Sequence, residues 1–260
     1  MSQNIALITG ASSGIGTELA RHHAQQGGDL VLVARSESTL NRLKEEFERD
    51  YGIKVWVLTE DLSQPGSAQR VFEATEALGI EVELLINNAG FGGHGRFHQR
   101  DLGEDEAMMQ LNMATLTSLT HCYLQVMVQR GHGKVLNVAS TAAFMPGPLQ
   151  AVYYATKSFV LSFSQAVAKE LEGSGVTVTA LCPGAVDTGF VRRGNLEGVE
   201  IFDKAATPES VALCGYDAMM KGELVAINER QLSFMLNWVV PLLPRKWVLA
   251  LSQRAMEKTA

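Results

Sequence analysis

The sequence predicts an α/β fold, a doubly wound parallel sheet held between two helical layers, built as a single domain with a C-terminal helical extension. Three observations lead there. Short β-branched runs alternate with longer segments of helical period, the strand-like runs lack polar alternation, and 260 residues with 46% apolar content supply one large core without demanding a boundary.

The rhythm opens with Ile5 to Thr9 as a strand and Gly14 to Gln26 as a helix. It repeats as Leu30 to Arg35 with Glu37 to Tyr51, and as Lys54 to Thr59 with Gly66 to Leu78. Leu30-Val-Leu-Val is apolar at every position, as a strand is when helices cover both faces of its sheet. Then come the strand Val82 to Ile86, a helical region Leu102 to Gln129, the strand Lys134 to Val138, a helix Val152 to Glu172 and the strand Val176 to Leu181. Strands and helices in this alternation form parallel crossovers. Past Leu181 the pattern loosens into a Gly-rich, charged stretch, Gly184 to Ala206, followed by a helix Pro208 to Met220 and a short strand near Leu224 to Ile227. Open α/β sheets bind ligands beyond the carboxyl ends of their strands, so the loose stretch is expected to be a substrate lid. Residues 1–230 are expected as the main domain, and 231–260 as an apolar extension packed on it or at an oligomer contact.

Composition excludes several functions. Twenty-two Lys and Arg against 28 Asp and Glu leave a net charge of −6, which argues against nucleic acid as a partner. Cys122, Cys182 and Cys214 are odd in number and lack metal-ligand spacing, so no metal is expected and a reducing, cytoplasmic location is. The first strand starts at Ile5, which leaves no room ahead of it for a secretion signal. Leu232 to Leu251 is the most lipid-like stretch, but Asn237, Pro241, Pro244, Arg245 and Lys246 interrupt it, which is poor for a membrane span.

The first strand runs into Thr9-Gly10-Ala-Ser12-Ser13-Gly14-Ile15-Gly16, and a helix follows directly. Glycines there allow a tight turn and let backbone N–H groups approach a pyrophosphate at the positive end of the helix. The second strand ends Val33-Ala34-Arg35-Ser36, with no acid to take a ribose 2′-hydroxyl. Arg35 is therefore expected to fork onto a 2′-phosphate, with Ser12 or Ser36 assisting, and NADP is expected over NAD.

Tyr153-Tyr154-Ala-Thr-Lys157 opens a helix thirteen residues after Ser140. The i, i+4 spacing places Tyr153 and Lys157 on one face, where they act on the same ligand. A phenol ionises near ~10. An adjacent ammonium and the positive nicotinamide of oxidised cofactor are expected to bring it into range for acid/base work.

Together these pieces resemble the classical short-chain dehydrogenase/reductase family over Ile5 to Ile227. The resemblance is carried by Thr9 to Gly16, Asp61-Leu62, Asn87-Asn88-Ala89-Gly90, Asn112, Ser140, Tyr153 with Lys157, and Pro183-Gly184 with Thr188. It implies a Rossmann-type domain holding NADP and a catalytic tetrad of Asn112, Ser140, Tyr153 and Lys157. Tyr153 would exchange a proton with the substrate oxygen and Ser140 would donate to the same oxygen. Lys157 would hold the ribose hydroxyls and lower the Tyr153 pKa, and Asn112 would anchor a water leading to Lys157. Asp61 would meet the adenine amino group, with Leu62 beside it. Asn88, Ala89 and Gly90 would support the adenosine side, while Pro183, Val186 and Thr188 would reach the carboxamide and diphosphate. Relatives that pair do so through the helices at Leu102 to Gln129 and Val152 to Glu172, which implies a homodimer or homotetramer.

The resemblance also makes Ala142, Ala143, Phe144, Met145, Pro146 and Leu149 a greasy wall for the substrate, although Phe144 and Met145 fit equally well as ordinary packing residues. Arg192 and Arg193 read as solvent-facing. The tail from Gln231 to Met256 has too many large apolar residues to stand bare, and it roofs the pocket, forms an oligomer contact or rests weakly on a bilayer. The reading that follows is an NADPH-dependent reductase, reversible as an alcohol dehydrogenase, for a small apolar ketone or aldehyde. Its rivals are a catalytically silent dinucleotide sensor and a lipid-carbonyl reductase working at a membrane surface.

Overall fold

The computed structural model describes residues 4–203 and 205–258. The ends of the expected domain and extension, residues 1–3 and 259–260, and position 204 within the expected lid, lie outside the described residues.

Seven parallel strands form one sheet in the order β3-β2-β1-β4-β5-β6-β7. They are β1 (Ile5–Thr9), β2 (Asp29–Ala34), β3 (Val55–Thr59), β4 (Leu84–Asn87), β5 (Gly133–Val138), β6 (Val176–Leu181) and β7 (Val225–Ala226). The intervening helices are α1 (Gly14–Gln25), α2 (Glu37–Tyr51), α3 (Ser67–Ala77), α4 (Leu102–Met109), α5 (Leu116–Arg130), α6 (Ala151–Glu170), α7 (Phe190–Arg193) and α8 (Pro208–Lys221). Two more, α9 (Arg230–Phe234) and α10 (Arg245–Met256), follow β7.

The absence of polar alternation has its physical reason in the two cores. Ala6, Ile8, Leu30 and Leu32 point to one face and pack with Leu40, Phe47 and Val211 from α2 and α8. Their neighbours Ile5, Leu7, Val31 and Val33 point to the other, against Val71, Leu119 and Tyr123 from α3 and α5. Both faces are dry, so both sets of alternating positions must be apolar. Local chemistry sets the helix ends. Asp101 accepts the Glu104 N–H at the start of α4, and Thr207 accepts that of Ser210 at the start of α8 with Pro208 in the first turn.

Strand order reverses between β1 and β4, which splays their connections to opposite sides and opens a crevice at the strand ends. The expected helical region Leu102 to Gln129 contains a change of pitch. Gln110–Thr115 forms a π-helical turn between α4 and α5, and Asn112 sits inside it. The extension is helical, as expected, but uncovered on its outer side.

A cleft that gathers a glycine turn and a buried tyrosine

The cleft beyond the strand ends has a volume of about 720 Å³. Gly10, Ser12, Ser13, Gly14 and Ile15 line its floor between β1 and α1. Gly10 holds φ +66°, a left-handed conformation that a side chain would strain. Gly16 does not line the cleft. A Cβ there would collide with the Gly10 carbonyl oxygen and with Asn88 Nδ2, so this glycine serves the close approach of α1 to the turn behind it. Asn88 completes that junction, its amide donating to Thr9 O at 2.9 Å while the Thr9 hydroxyl accepts the Asn88 and Ala89 N–H groups at 3.0 Å. Ala89 and Gly90 carry the wall onward.

Arg35 and Ser36 border the cleft at the end of β2. Ser36 Oγ lies 2.9 Å from Thr39 Oγ1, so its hydroxyl is shared with the first turn of α2. Glu60 also borders the cleft, but Arg70 holds both of its carboxylate oxygens, at 2.8 and 3.1 Å. Asp61 accepts from the Ser63 N–H and hydroxyl at 3.1 and 2.7 Å. Burial pushes its carboxyl up, but these bonds, with Gln64 and the charge of Arg35, outweigh that and hold it below the usual range. Leu62 lines the same end, its carbonyl oxygen accepting from the Thr115 hydroxyl of the π turn at 2.8 Å.

At the other end Ser140, Tyr153 and Lys157 converge. Burial drives the Tyr153 phenol well above its usual pKa, and a hydrogen bond with the Ser140 side chain only partly offsets it. Lys157 lies with its Nζ 5.9 Å from the centre of the Tyr153 ring and donates to Val138 O at 2.8 Å. Burial lowers its pKa to about 8. Desolvation is the largest influence on the Tyr153 phenol here; the acidification expected from Lys157 is tied as well to the nicotinamide of oxidised cofactor. Pro183, Val186 and Thr188 close the cleft from beyond β6. A Cβ on Gly14 would stand 2.9 Å from Thr188 Cγ2, so the two loops nearly touch across the floor.

Asn112, expected beside these groups, is buried behind the wall. Its Nδ2 donates to Phe91 O at 3.0 Å and to Thr156 Oγ1 at 3.1 Å, and its Oδ1 accepts the Phe91 N–H at 3.2 Å. It meets Lys157 only across Gly90, where a Cβ would stand 3.0 Å from Asn112 Oδ1 and 3.4 Å from Lys157 Nζ.

The greasy wall differs from expectation. Of the six residues between Ser140 and Leu149 expected there, only Ala142 lines the cleft. Ala143 and Phe144 pack beside Leu116 and Val160, Met145 and Leu149 pack beside Tyr154 and Leu196, and Pro146 O accepts from Ser252. Phe91, Tyr154, Phe190, Ile201, Phe202 and Met256 form the apolar surface instead. Phe91 and Phe190 each follow a motif residue by one or two positions, a signal that sequence reading passed over; Ile201 and Met256 carry none. Arg192 and Arg193 line the cleft too, and Arg193 pairs with Glu104 at 3.0 Å. Among the described residues no group of three His, Cys, Asp or Glu side chains is arranged to hold a metal ion.

The cradle suits a dinucleotide phosphate. Positions where a Cβ would collide floor it, Arg35 supplies a cation at one end, and a tyrosine and a lysine stand at the other. The short chain dehydrogenase family model matches residues 4–197. The 7beta-hydroxysteroid dehydrogenase of Collinsella aerofaciens is 31% identical over 235 residues, 89% of each chain. The solved structure of a short-chain dehydrogenase from Sphingobium yanoikuyae in complex with NADPH superposes with a TM-score of 0.82 at 32% identity, covering 89% of this chain and 90% of that one. A short chain dehydrogenase/reductase from Burkholderia phymatum in complex with NAD shares the fold, with a TM-score of 0.81 at 22% identity over the full length of both chains.

Proposed function

The chain belongs to the short-chain dehydrogenase family, and on that premise we propose that this oxidoreductase is an NADPH-dependent reductase of apolar ketones or aldehydes, with Tyr153 as its acid. One observation carries the reading. Tyr153, its Ser140 partner and Lys157 stand in the same cleft as a glycine turn and Arg35.

The turn from Gly10 to Ile15 would hold the pyrophosphate and Arg35 the 2′-phosphate, with Ser12 or Ser36 assisting. Asp61, Leu62, Asn88, Ala89 and Gly90 would flank the adenosine, and Lys157, Pro183, Val186 and Thr188 the nicotinamide half. Bound NADPH supplies a hydride to the carbonyl carbon. Tyr153 donates its proton to the carbonyl oxygen as charge develops there, and Ser140 donates a hydrogen bond to the same oxygen, stabilising the transition state more than the ground state. The buried phenol is protonated at neutral pH and so carries the proton that carbonyl reduction requires. Asn112 acts indirectly, bracing Phe91, which follows Gly90, and Thr156, which precedes Lys157. The apolar surface of Phe91, Phe190, Phe202 and Met256 supports a greasy substrate.

Preference for NADP rests on Arg35 at the end of β2 and on Arg70, which occupies the one nearby carboxylate, Glu60, not tied into its own turn. Residues 1–230 act as the catalytic domain and 231–260 as its extension. Phe159 on α6 is 41% exposed and stacks on Phe163, which supports pairing of copies through α5 and α6. Three free cysteines support a cytoplasmic setting. The test is Tyr153→Phe. NADPH oxidation against a panel of graded ketones and aldehydes should fall by roughly a thousandfold while NADPH binding holds; undiminished turnover on every carbonyl would remove Tyr153 from this role.

A further inference from the structure

The extension after β7 leaves several large apolar side chains bare. Trp238 is 68% exposed, Leu242 84% and Trp247 63%, with Phe234 and Leu251 beside them in the chain. This is no loose tail. Along α10, Val248, Ser252 and Met256 recur at i, i+4 and i+8 and are buried, whereas Trp247, Leu251 and Arg254 point the other way. Polar bonds fix the inner face: Ser252 Oγ donates to Pro146 O at 2.8 Å, His94 Nε2 lies 2.7 Å from Met256 O, and Lys258 donates to Asn195 at 3.0 Å. The outer face is therefore held in place and uncovered.

Charge says what covers it. From Arg230 to Met256 the chain carries Arg230, Arg245, Lys246 and Arg254 and not one Asp or Glu, in a protein whose net charge is −6. We propose that the outward face of residues 230–254 docks on an anionic lipid surface, with its tryptophans and leucines in the acyl boundary and its cations at the headgroups. Tryptophan favours that boundary, and a helical segment apolar on one side and basic at its margins lies in it. No helix among the described residues is long and apolar enough to cross a membrane, so the chain would rest on the bilayer. Met256, on the buried side of the same helix, lines the cleft. The docking does not rest on the proposed carbonyl reduction.

Co-sedimentation of the full chain with vesicles of phosphatidylcholine and phosphatidylglycerol in equal parts, and of phosphatidylcholine alone, tests this without substrate. Binding should favour the mixed vesicles, shift tryptophan emission to the blue, and weaken roughly thirtyfold in the Arg245→Gln, Lys246→Gln variant. Trp238→Ser with Trp247→Ser should lower it on both compositions while dinucleotide binding, read by NADPH fluorescence, stays intact. Absence of binding to mixed vesicles, or binding indifferent to both variants, would overturn the proposal. So would a dimer in sedimentation velocity that the tryptophan variant dissociates, which would make a second copy the occupant. Failure here leaves the Tyr153→Phe result untouched, so the two readings fall separately.

Discussion

Replacing Asn112 by alanine strips three partners at once. The Phe91 N–H, the Phe91 carbonyl and the Thr156 hydroxyl oxygen lose bonds of 3.2, 3.0 and 3.1 Å around a side chain that is 1% exposed. A buried polar group left unsatisfied costs about 1–3 kcal/mol. The Phe91 N–H loses its acceptor outright. Thr156 is penalised less, because its hydroxyl still donates to Tyr153 O at 2.7 Å. The sum is a loss of about 2–4 kcal/mol, or roughly 5–15 °C in Tm for a chain of this size. Urea denaturation should show a lower midpoint with an unchanged slope. Asn112→Asp should fail to rescue at neutral pH: one oxygen still accepts from Phe91 N–H, but the other faces a carbonyl where a donor is needed. A loss below about 0.5 kcal/mol for the alanine variant, or full rescue by aspartate at neutral pH, would refute the brace and return Asn112 to a purely water-relaying part.

Arg35→Asp removes the cation at the end of β2 and adds an anion, so the NADPH-to-NADH ratio of kcat/KM should fall at least about a hundredfold; an unchanged ratio would acquit Arg35. For Lys157, burial takes the native pKa to about 8 from 10.5. Between those values the unfolded chain holds more protons than the native one, so stability rises with pH through that window, while below about 8 the full penalty of charging the buried amine applies. The stability of the wild type minus that of Lys157→Met should grow by on the order of 2–3 kcal/mol from about pH 7.5 to pH 10.5, and a flat difference in paired unfolding curves would contradict this.

Much of the fold was readable because its causes are local. Glu37–Tyr51 and Val176–Leu181 begin and end where the apolar period and turn residues put them. The cleft floor was readable because a glycine turn between a strand and a helix has few other uses. The apolar wall was not, since Phe190, Phe202 and Met256 arrive from segments whose approach depends on tertiary packing around Leu196 and Val199. The raised pKa of Tyr153 was not readable for the same reason. Spacing along a helix reports which groups share a face, but desolvation depends on everything else that closes over them.

The π-helical turn at Gln110–Thr115 has a mechanical meaning. An α-helix advances about 100° per residue, so one surplus residue in a turn shifts the phase of all that follows. Upstream of it α4 packs against α6; downstream, α5 packs against α3. A single run of chain thereby meshes with two neighbours whose grooves are out of step, the way an idler tooth joins gears of unmatched pitch. Deleting one residue there would retime the ladder, turning either Asn112 from Phe91 or the Leu119 and Tyr123 stripe from the sheet. Length at this joint is consequently as constrained as the identity of any side chain it carries.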